Sequence, residues 1–247
     1  GEFVNNLSVQ NPIAVSFGKA EDWYDGAGGV VKQNVILHGI DISTKDKRGW
    51  GIGLGNVNGV LVQDNIIAGN RESGMPLGMR LNAGTRSGRQ MYVRDVEIDN
   101  NIIYDWIGEN VSEGYGISIT NNDYIDGIEY PFGEDPDDFV TDINIKNNEI
   151  YLPDEDFRVV TAYFLGDIIN SESNSFFSDR ALDNWFRFEG IYYNLDEYKG
   201  IYSDISSVAE EKHPSGPYGL LDYLNSINET ATFDAYYTKL REQRRGN

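Results

Sequence analysis

Short alternations of β-branched and polar residues recur along the chain and are its most regular feature. Each one places apolar residues at every second position on both sides of a polar pair, which predicts two short strands joined at a bend. The clearest copies are residues 35–42, 60–67, 96–103 and 143–150, with a weaker copy at 5–9. A further apolar stretch follows each copy and predicts a third strand at residues 13–17, 51–54, 78–81, 116–119 and about 161–165.

Three short strands in each repeat are typical of one coil of a parallel β-helix. Asn65, Asn101 and Asn148 occupy the same point in successive copies, so we expect a buried ladder in which each amide bonds its neighbours. Gly39 takes this place in the copy at residues 35–42, which predicts a break in the ladder there. A β-sandwich of short strands is the alternative, although it does not require the same Asn at each bend.

The repeat stops near residue 175, which predicts a β-helix over residues 1–174 and a capping segment over residues 175–247. Residues 175–202 are rich in Phe, Tyr and Trp and are expected to be extended segments that cover the last coil. Residues 220–227 and 233–243 then read as two short helices. Thr232 is the predicted N-cap of the second helix.

Composition excludes several classes of protein. The 247 residues include no Cys, which rules out disulfides, a thiolate metal site and a Cys nucleophile. Forty acidic against twenty basic residues give a net charge of −20, which disfavours nucleic acid as a partner. No apolar run is long enough to span a membrane. The chain begins Gly1-Glu2-Phe3 and is interpreted as a trimmed or mature fragment.

The few cations are concentrated in one part of the chain. Residues 45–94 contain eight Lys and Arg against three acidic residues, a balance of +5, so the rest of the chain carries −25. The region covers two consecutive coils, so we expect its cations to form one compact group in space, and such a group in an acidic protein attracts an anionic ligand. Its members are Lys45, Lys47, Arg48, Arg71, Arg80, Arg86, Arg89 and Arg94.

The segments Val96-Glu97-Ile98-Asp99-Asn100-Asn101-Ile102-Ile103 and Gly116-Ile117-Ser118-Ile119 resemble the right-handed parallel β-helix superfamily, which includes pectate lyases, alginate lyases and several glycoside hydrolases. Residues 230–247 are similar to the C-terminal tails of secreted bacterial β-helix proteins. The resemblance implies an all-β, right-handed parallel β-helix of about five coils with an aromatic-rich cap and short helices. It further implies an extracellular bacterial protein that acts on carbohydrate, and we expect a monomer.

Function is expected on the loops and outward side chains of the third strands. The four clear copies start 25, 36 and 47 residues apart, so the longer repeats carry inserted loops, where solenoids place their function. On the third strand Gly53, Arg80 and Ser118 should point outward, one above another. We expect Trp50, Trp106 and Tyr115 to lie beside this row, and an aromatic ring can stack on the apolar face of a sugar.

This arrangement favours a lyase that cleaves a uronate-containing polysaccharide by β-elimination. Arg80 and Arg71 are expected to bind the carboxylate, because a guanidinium matches it bidentately. Lys47 or Lys45 is the predicted base, since neighbouring cations lower the pKa of a Lys. Tyr115 is the predicted proton donor. The other residues predicted to bind substrate are Arg48, Trp50, Trp106, Glu72, Glu109 and Glu113.

Two other functions stay open. A glycoside hydrolase would need a carboxylate pair, which Glu72, Asp105, Glu109 and Glu113 could supply. A non-catalytic polysaccharide-binding module or adhesin would need only the binding residues. Ca²⁺ is the cofactor that oxygen-rich loops at residues 121–126 and 134–138 would suit, but neither follows the EF-hand spacing and no metal ligand is assigned.

Overall fold

The structure is a computed structural model. It describes residues 1–9, 13–18, 27–37, 48–68, 75–86, 89–104, 114–121, 139–151, 157–162, 169–177, 184–204 and 206–210, with the single residues 225, 228, 230, 232, 235 and 238. Within the described residues, no helix has the length and apolar character needed to cross a membrane.

The described strands form three sheets. The first contains β1 (Glu2–Val4), β4 (Ala27–Lys32), β7 (Val57–Gln63), β11 (Val93–Asp99), β14 (Val140–Lys146) and β17 (Ile169–Glu172). The second contains β2 (Leu7–Val9), β5 (Val35–Leu37), β8 (Ile66–Ala68), β12 (Ile102–Tyr104), β15 (Glu149–Tyr151), β18 (Ser175–Phe177) and β21 (Val208–Glu210). The third contains β3 (Ile13–Gly18), β6 (Arg48–Gly55), β9 (Met75–Arg86), β13 (Gly114–Asn121), β16 (Phe157–Ala162), β19 (Phe186–Phe188) and β20 (Ile191–Tyr193), with β10 (Arg89–Met91) beside β9.

The chain visits the three sheets in turn, and each strand pairs in parallel with the strand of the preceding visit. Only β10 against β9 and β20 against β19 are antiparallel among the described pairs. This topology is that of a β-helix-like solenoid and differs from the antiparallel pairing of a β-sandwich. The predicted fold class is therefore confirmed as a mostly parallel β solenoid.

Register aligns the apolar residues of successive strands in the interior. Val96 pairs with Val60 on one side and Ile143 on the other, and Ile98 pairs with Val62 and Ile145 in the same way. All six side chains are buried. Burying a side chain of this size stabilises the fold by about 1.5–3 kcal/mol, so the alternation found in sequence is the main source of stability.

The predicted Asn ladder is present and is longer than expected. The backbone N and Nδ2 of Asn65 donate to Oδ1 of Asn101 at 3.0 and 2.8 Å, and Asn101 donates to Oδ1 of Asn148 at 3.0 Å from both atoms. The same contacts join Asn6 to Asn34, Asn34 to Asn65 and Asn148 to Asn174. Asn34, Asn65, Asn101, Asn148 and Asn174 are at most 1% exposed.

The predicted break at Gly39 is wrong. Asn34 occupies the ladder position, because Val35 pairs with Ile66 and Val31 with Val62. The copy at residues 35–42 was thus aligned on the wrong apolar residues, and residues 38–42 lie outside the described part. Successive ladder residues are separated by 28, 31, 36, 47 and 26 positions from Asn6 to Asn174.

A left-handed residue precedes each ladder Asn and makes the bend between the first and second sheets. Asp64, Asn100 and Asn147 have φ of 55°, 53° and 55°. Asn and Asp tolerate this conformation better than other residues with a side chain. The polar pair in each repeat therefore has two separate roles, since its first residue turns the backbone and its second residue bonds along the stack.

Three successive third strands have a glycine at the first predicted residue, namely Gly51, Gly78 and Gly116, because a side chain would not fit there. A Cβ on Gly116 would lie 2.7 Å from Cγ2 of Ile150 and 2.8 Å from the carbonyl oxygen of Val159. Gly51 and Gly78 face Ile67 and Ile103 in the same way. Glycine therefore allows the third sheet to lie close to the second sheet at these positions. The close approach determines which neighbouring residues of the third strand point outward.

Parallel pairing continues on both sides of residue 174. Strand β18 pairs with β15, β19 with β16, and β21 with β18. The expectation of extended structure throughout residues 175–202 is wrong at its end, where α1 (Leu195–Tyr202) begins at the N-cap Asn194 with a capping box to Glu197. The helix buries Tyr198 against Phe186, with ring centroids 3.9 Å apart.

Predicted third strands agree with β3, β6, β9 and β13, whereas the last was placed too late. Strand β16 spans Phe157–Ala162, not residues 161–165. The predicted helices at residues 220–227 and 233–243 lie largely outside the described residues. The amide of Ala235 donates to Oγ1 of Thr232 at 3.2 Å, which is the contact expected of the predicted N-cap.

The last step of the ladder ends on a hydroxyl and a carboxylate. The backbone N of Asn174 donates to Oγ of Ser207 at 2.9 Å, and the hydroxyls of Ser207 and Ser171 both donate to buried Asp204. Burial raises the pKa of Asp204, but hydrogen bonds from Ser171, Ser207 and Ser206 outweigh burial and hold the pKa below its usual value.

Candidate functional site

The outward face of the third sheet brings together residues that are distant in sequence. Gly53 pairs with Arg80, and Arg80 pairs with Ser118, as the repeat predicted. The same row continues through Thr161 to Arg187. The row therefore carries two arginines on β9 and β19 of one sheet.

Arg80 is held in place by an aromatic ring and an amide. Its guanidinium carbon lies 5.2 Å from the ring centroid of Trp50, within the range of a cation–π contact. The Trp50 indole lies against Gly53, where a Cβ would clash with the indole nitrogen. Nη2 of Arg80 donates to Oδ1 of Asn82 at 3.0 Å, and the hydroxyl of Thr120 donates to the same oxygen at 2.9 Å.

Ser118 was expected to point outward beside Arg80, and it has the expected register. Its side chain is nevertheless only 2% exposed, so it is not part of the accessible surface. Arg80 and Trp50 next to it are partly exposed and are the groups that a ligand can reach here.

Tyr115 also lies on this sheet and contacts a second arginine. Its side chain is 8% exposed, and Nη1 of Arg187 donates to its hydroxyl oxygen at 3.2 Å. Because the hydroxyl accepts this bond, its own proton can be donated elsewhere. The contact joins β13 to β19 across the intervening strand β16.

The sequence reasoning missed Arg158, Arg187 and Tyr192. Arg158 pairs in register with Tyr115, and Arg187 pairs with Tyr192 across the β19–β20 turn. The two guanidinium carbons lie 4.6 and 5.6 Å from the Tyr192 ring centroid. The signal was a single Arg enclosed by apolar residues, in Phe157-Arg158-Val159 and Phe186-Arg187-Phe188. Neither segment belongs to the basic region, and the late placement of the last third strand concealed the first.

The basic region is divided between sheets. Arg94 lies on β11 in the first sheet, with its guanidinium carbon 4.1 Å from the ring centroid of Tyr92, whereas Arg80 lies in the third sheet. The expectation that all eight cations form one compact group is therefore wrong for Arg94. Its backbone follows the first-sheet alternation in residues 93–98, which charge counting did not consider.

Most of the other predicted site residues lie outside the described residues. Arg48 is placed only by its backbone, as the first residue of β6, which pairs with Met75. The predictions outside the described part are Lys45, Lys47, Arg71, Glu72, Asp105, Trp106, Glu109 and Glu113.

The calcium prediction also falls mainly on residues outside the described part, namely 122–126 and 134–138. Among the residues that the structure does describe, no group of three or more His, Asp or Glu could hold a metal ion. A calcium site stays a prediction.

The described part of this face is cationic and aromatic. Arg80, Arg158 and Arg187 lie on alternate or adjacent strands of one sheet, in a protein whose net charge is −20. Cations concentrated on one face of an acidic protein direct an anion to that face. A planar ring beside each guanidinium offers a surface for the apolar side of a sugar.

Comparison of the chain with protein-family models, with curated proteins and with solved structures finds no match.

Proposed function

We propose that the protein binds an acidic polysaccharide along the outward face of the third sheet and cleaves it by β-elimination. The observation that carries the proposal is the contact of Arg80 with Trp50 on this face of the sheet. A guanidinium binds the carboxylate of a uronate bidentately, and the indole supports the sugar ring.

The cleavage step needs three groups. Arg80, with Arg71, neutralises the carboxylate next to the C5–H bond, which stabilises the carbanion that forms there. Lys47 or Lys45 removes the C5 proton, the electron pair forms the C4–C5 double bond, and the C4–O bond breaks. Tyr115 gives its proton to the leaving oxygen. The balance of the step requires no oxidant or reductant.

Binding without cleavage is the second candidate. It is favoured by the character of the described site, where Arg80 and Trp50 are groups that bind rather than groups that remove a proton. The carboxylates on which a glycoside hydrolase would depend belong to residues 72, 105, 109 and 113, which lie outside the described residues. Hydrolysis therefore stays as an outcome that the assay below distinguishes.

We further propose that the solenoid is right-handed, with about five coils over residues 1–174, formed by successive strand triplets from β1–β3 to β14–β16. Crossover connections between parallel strands of one sheet are right-handed in about 98% of cases. A further triplet, β17–β19, continues the stack across residue 174. We also propose that the protein is monomeric, secreted and bacterial, as the sequence resemblance implies.

The test is a panel of alginate, pectate, a glycosaminoglycan and a neutral glycan. Elimination creates a C4–C5 double bond that absorbs ultraviolet light, hydrolysis creates reducing ends without that absorbance, and binding alone changes mobility in a gel that contains the glycan. We expect a wild-type signal on a uronate polymer and its loss in Arg80→Gln. One of the two variants Lys47→Ala and Lys45→Ala should abolish cleavage and retain binding.

Arg94→Gln is the matched control, because Arg94 also stacks on an aromatic ring but lies in the first sheet. It should behave as wild type. The proposal would be refuted by equal binding in Arg80→Gln and Arg94→Gln. A wild-type protein that binds only the neutral glycan would contradict it as well.

A further inference from the structure

A second cationic cluster lies on the same face as Arg80 but several strands away. It consists of Arg158 on β16, Arg187 on β19 and Tyr192 on β20, with Tyr115 on β13 beneath Arg187. Both guanidinium groups contact one ring, at 4.6 and 5.6 Å from its centroid. Tyr192 remains 41% exposed, so the cluster reaches the surface.

The geometry of the cluster fits an anion better than a purely structural contact. Two guanidinium groups contact a single exposed ring, so two planar cationic donors lie close together at the surface, and an acidic group is the ligand that both can bind. Ring stacking and the hydrogen bond from Arg187 to Tyr115 orient the planar groups before any ligand arrives, which lowers the entropic cost of binding. Arg158 and Arg187 are each half-buried, and desolvation strengthens their attraction for a negative charge.

The spacing sets the size of the ligand that can reach both clusters. Arg187 lies three strands beyond Arg80 in the third sheet, and Arg158 lies two strands beyond it. Neighbouring strands are about 4.8 Å apart, so the two clusters are separated by roughly 10–14 Å along the stack. This distance exceeds the width of a single sugar ring and is spanned only by an oligosaccharide.

We propose that Arg158 and Arg187, arranged by Tyr192 and Tyr115, form a second anion subsite that binds another acidic group of the same polymer chain. The inference rests on the proposed function, which concerns Arg80, and adds a length requirement to it. Ligands that reach both subsites bind more tightly than ligands that reach one, because the second contact forms within an existing complex.

Calorimetric titration with oligogalacturonates and oligomannuronates of increasing length tests the inference, with dextran sulfate as a polyanion that contains no uronate. We expect wild-type affinity to rise with length and then level off. The double variant Arg158→Gln/Arg187→Gln should lose about 10-fold or more for long oligomers, because a hydrogen bond to a charged group is worth about 1.5–3 kcal/mol. Its affinity for the shortest oligomers should be unchanged.

Two controls separate this effect from changes in charge or folding. Arg94→Gln/Lys146→Gln also removes two positive charges, but from the first sheet, and the affinity of this variant should still increase with oligomer length. Arg158→Lys/Arg187→Lys keeps the charge but loses the planar fork, so it should recover only part of the affinity. Circular dichroism and thermal unfolding of each variant identify any loss of structure.

The outcomes also separate the two proposals. Equal binding of long oligomers by the two Gln double variants would overturn the second subsite while the proposed function stands. If dextran sulfate binds in a manner that depends on Arg158 and Arg187 and no uronate oligomer binds, the subsite stands and the proposed function fails. If neither polyanion binds, both are overturned.

Discussion

The bend between the first and second sheets and the outward face of the third sheet show opposite kinds of order. At the bend, one residue type repeats from Asn6 to Asn174, and its amides form the same bonds at every step. On the outward face, equivalent positions hold Gly53, Arg80, Ser118 and Arg187. The first region repeats the chemistry, whereas the second repeats only the backbone.

The difference follows from what each region must satisfy. A buried amide needs a partner of matching shape in the next coil, so any other residue leaves donors or acceptors unsatisfied. An outward position has water as an alternative partner, and many residue types fit it. A position that could be any residue but is an ordered Arg on an indole is therefore informative about function, while a repeated Asn is informative about the fold.

Asn101→Ala should give the largest effect, because it breaks the uniform region at its centre. Both donors of Asn65 lose their acceptor, the carbonyl oxygen of Val62 loses the donor Nδ2 of Asn101, and Oδ1 of Asn148 keeps only the backbone donor of residue 101. Each buried group left unsatisfied costs about 1–3 kcal/mol, so we expect a loss of about 3–5 kcal/mol in the free energy of unfolding. Urea denaturation measures it.

Asn170→Ala is the matched control, since Asn170 is exposed on β17 and its Nδ2 donates to Oδ1 of Asn144 at 3.3 Å on the surface. It should change the free energy of unfolding by about 0.5 kcal/mol or less. A similar small change for Asn101→Ala would show that the ladder is not a source of stability.

Gly116→Ala should have the next largest effect, because it adds a methyl group in the interior, between the second sheet next to the ladder and the third sheet that carries the outward face. The added Cβ would meet Ile150 and the backbone oxygen of Val159 at less than ordinary contact distance. Overpacking of this kind costs about 1–3 kcal/mol. The measurement is again urea denaturation.

Gly200→Ala is the control, and it should change the free energy of unfolding in the opposite direction. Gly200 lies in α1 with no atom within 4 Å of an added Cβ, so the substitution should stabilise the protein by about 0.5–1 kcal/mol. Equal changes for the two glycines would mean that the close approach of the second and third sheets does not depend on Gly116.

The sequence alone predicts more of the ladder than of the outward face, and the reason is the same. The ladder at Asn65, Asn101 and Asn148 was predictable because a repeated residue at a repeated bend leaves few alternatives. The alignment at Asn34 was not predictable, since the consecutive apolar residues Val30-Val31 and Val35-Ile36 fit either phase of a two-residue alternation. In addition, Gln33 replaces the usual Asn or Asp. Alternation fixes which residues share a face but does not fix which repeat unit they belong to.

The outward face could be predicted only where the strand itself was recognised. Arg80 was assigned correctly to the row of Gly53 and Ser118, because Gly-x-x-Leu and Gly-x-x-Ile marked those strands. Arg158 and Arg187 follow no glycine, and Val159 stands where Gly116 stands one coil earlier. Helix α1 was missed because aromatic residues favour strands, whereas here Tyr198 packs on Phe186 from a helix.

Salt should affect the outward face and the ladder differently, without any substitution. The expected change in binding is smaller than the effect of either core substitution on stability. Raising the ionic strength from about 0.1 M to about 1 M shortens the Debye length from about 10 Å to about 3 Å. Uronate binding by Arg80 should weaken several-fold, whereas the free energy of unfolding should not fall, because the ladder is buried and neutral. Titration and denaturation at both ionic strengths test this, and binding that is independent of salt would contradict an ionic contact.

The smallest expected effect concerns acid, at the end of the ladder where the Ser207 hydroxyl replaces the next amide as acceptor and itself donates to Asp204. Its folded pKa lies below the usual value, so its contribution to stability is fully present above the unfolded pKa of about 3.9 and is lost as the pH falls through the folded pKa. The difference in unfolding free energy between wild type and Asp204→Asn should therefore be largest near neutral pH and shrink below about pH 4. Asp142→Asn, at an exposed left-handed position, should stay within about 0.5 kcal/mol of wild type throughout. A constant difference for Asp204→Asn would mean that the carboxylate acts only through its shape, and that the ladder can end on any acceptor.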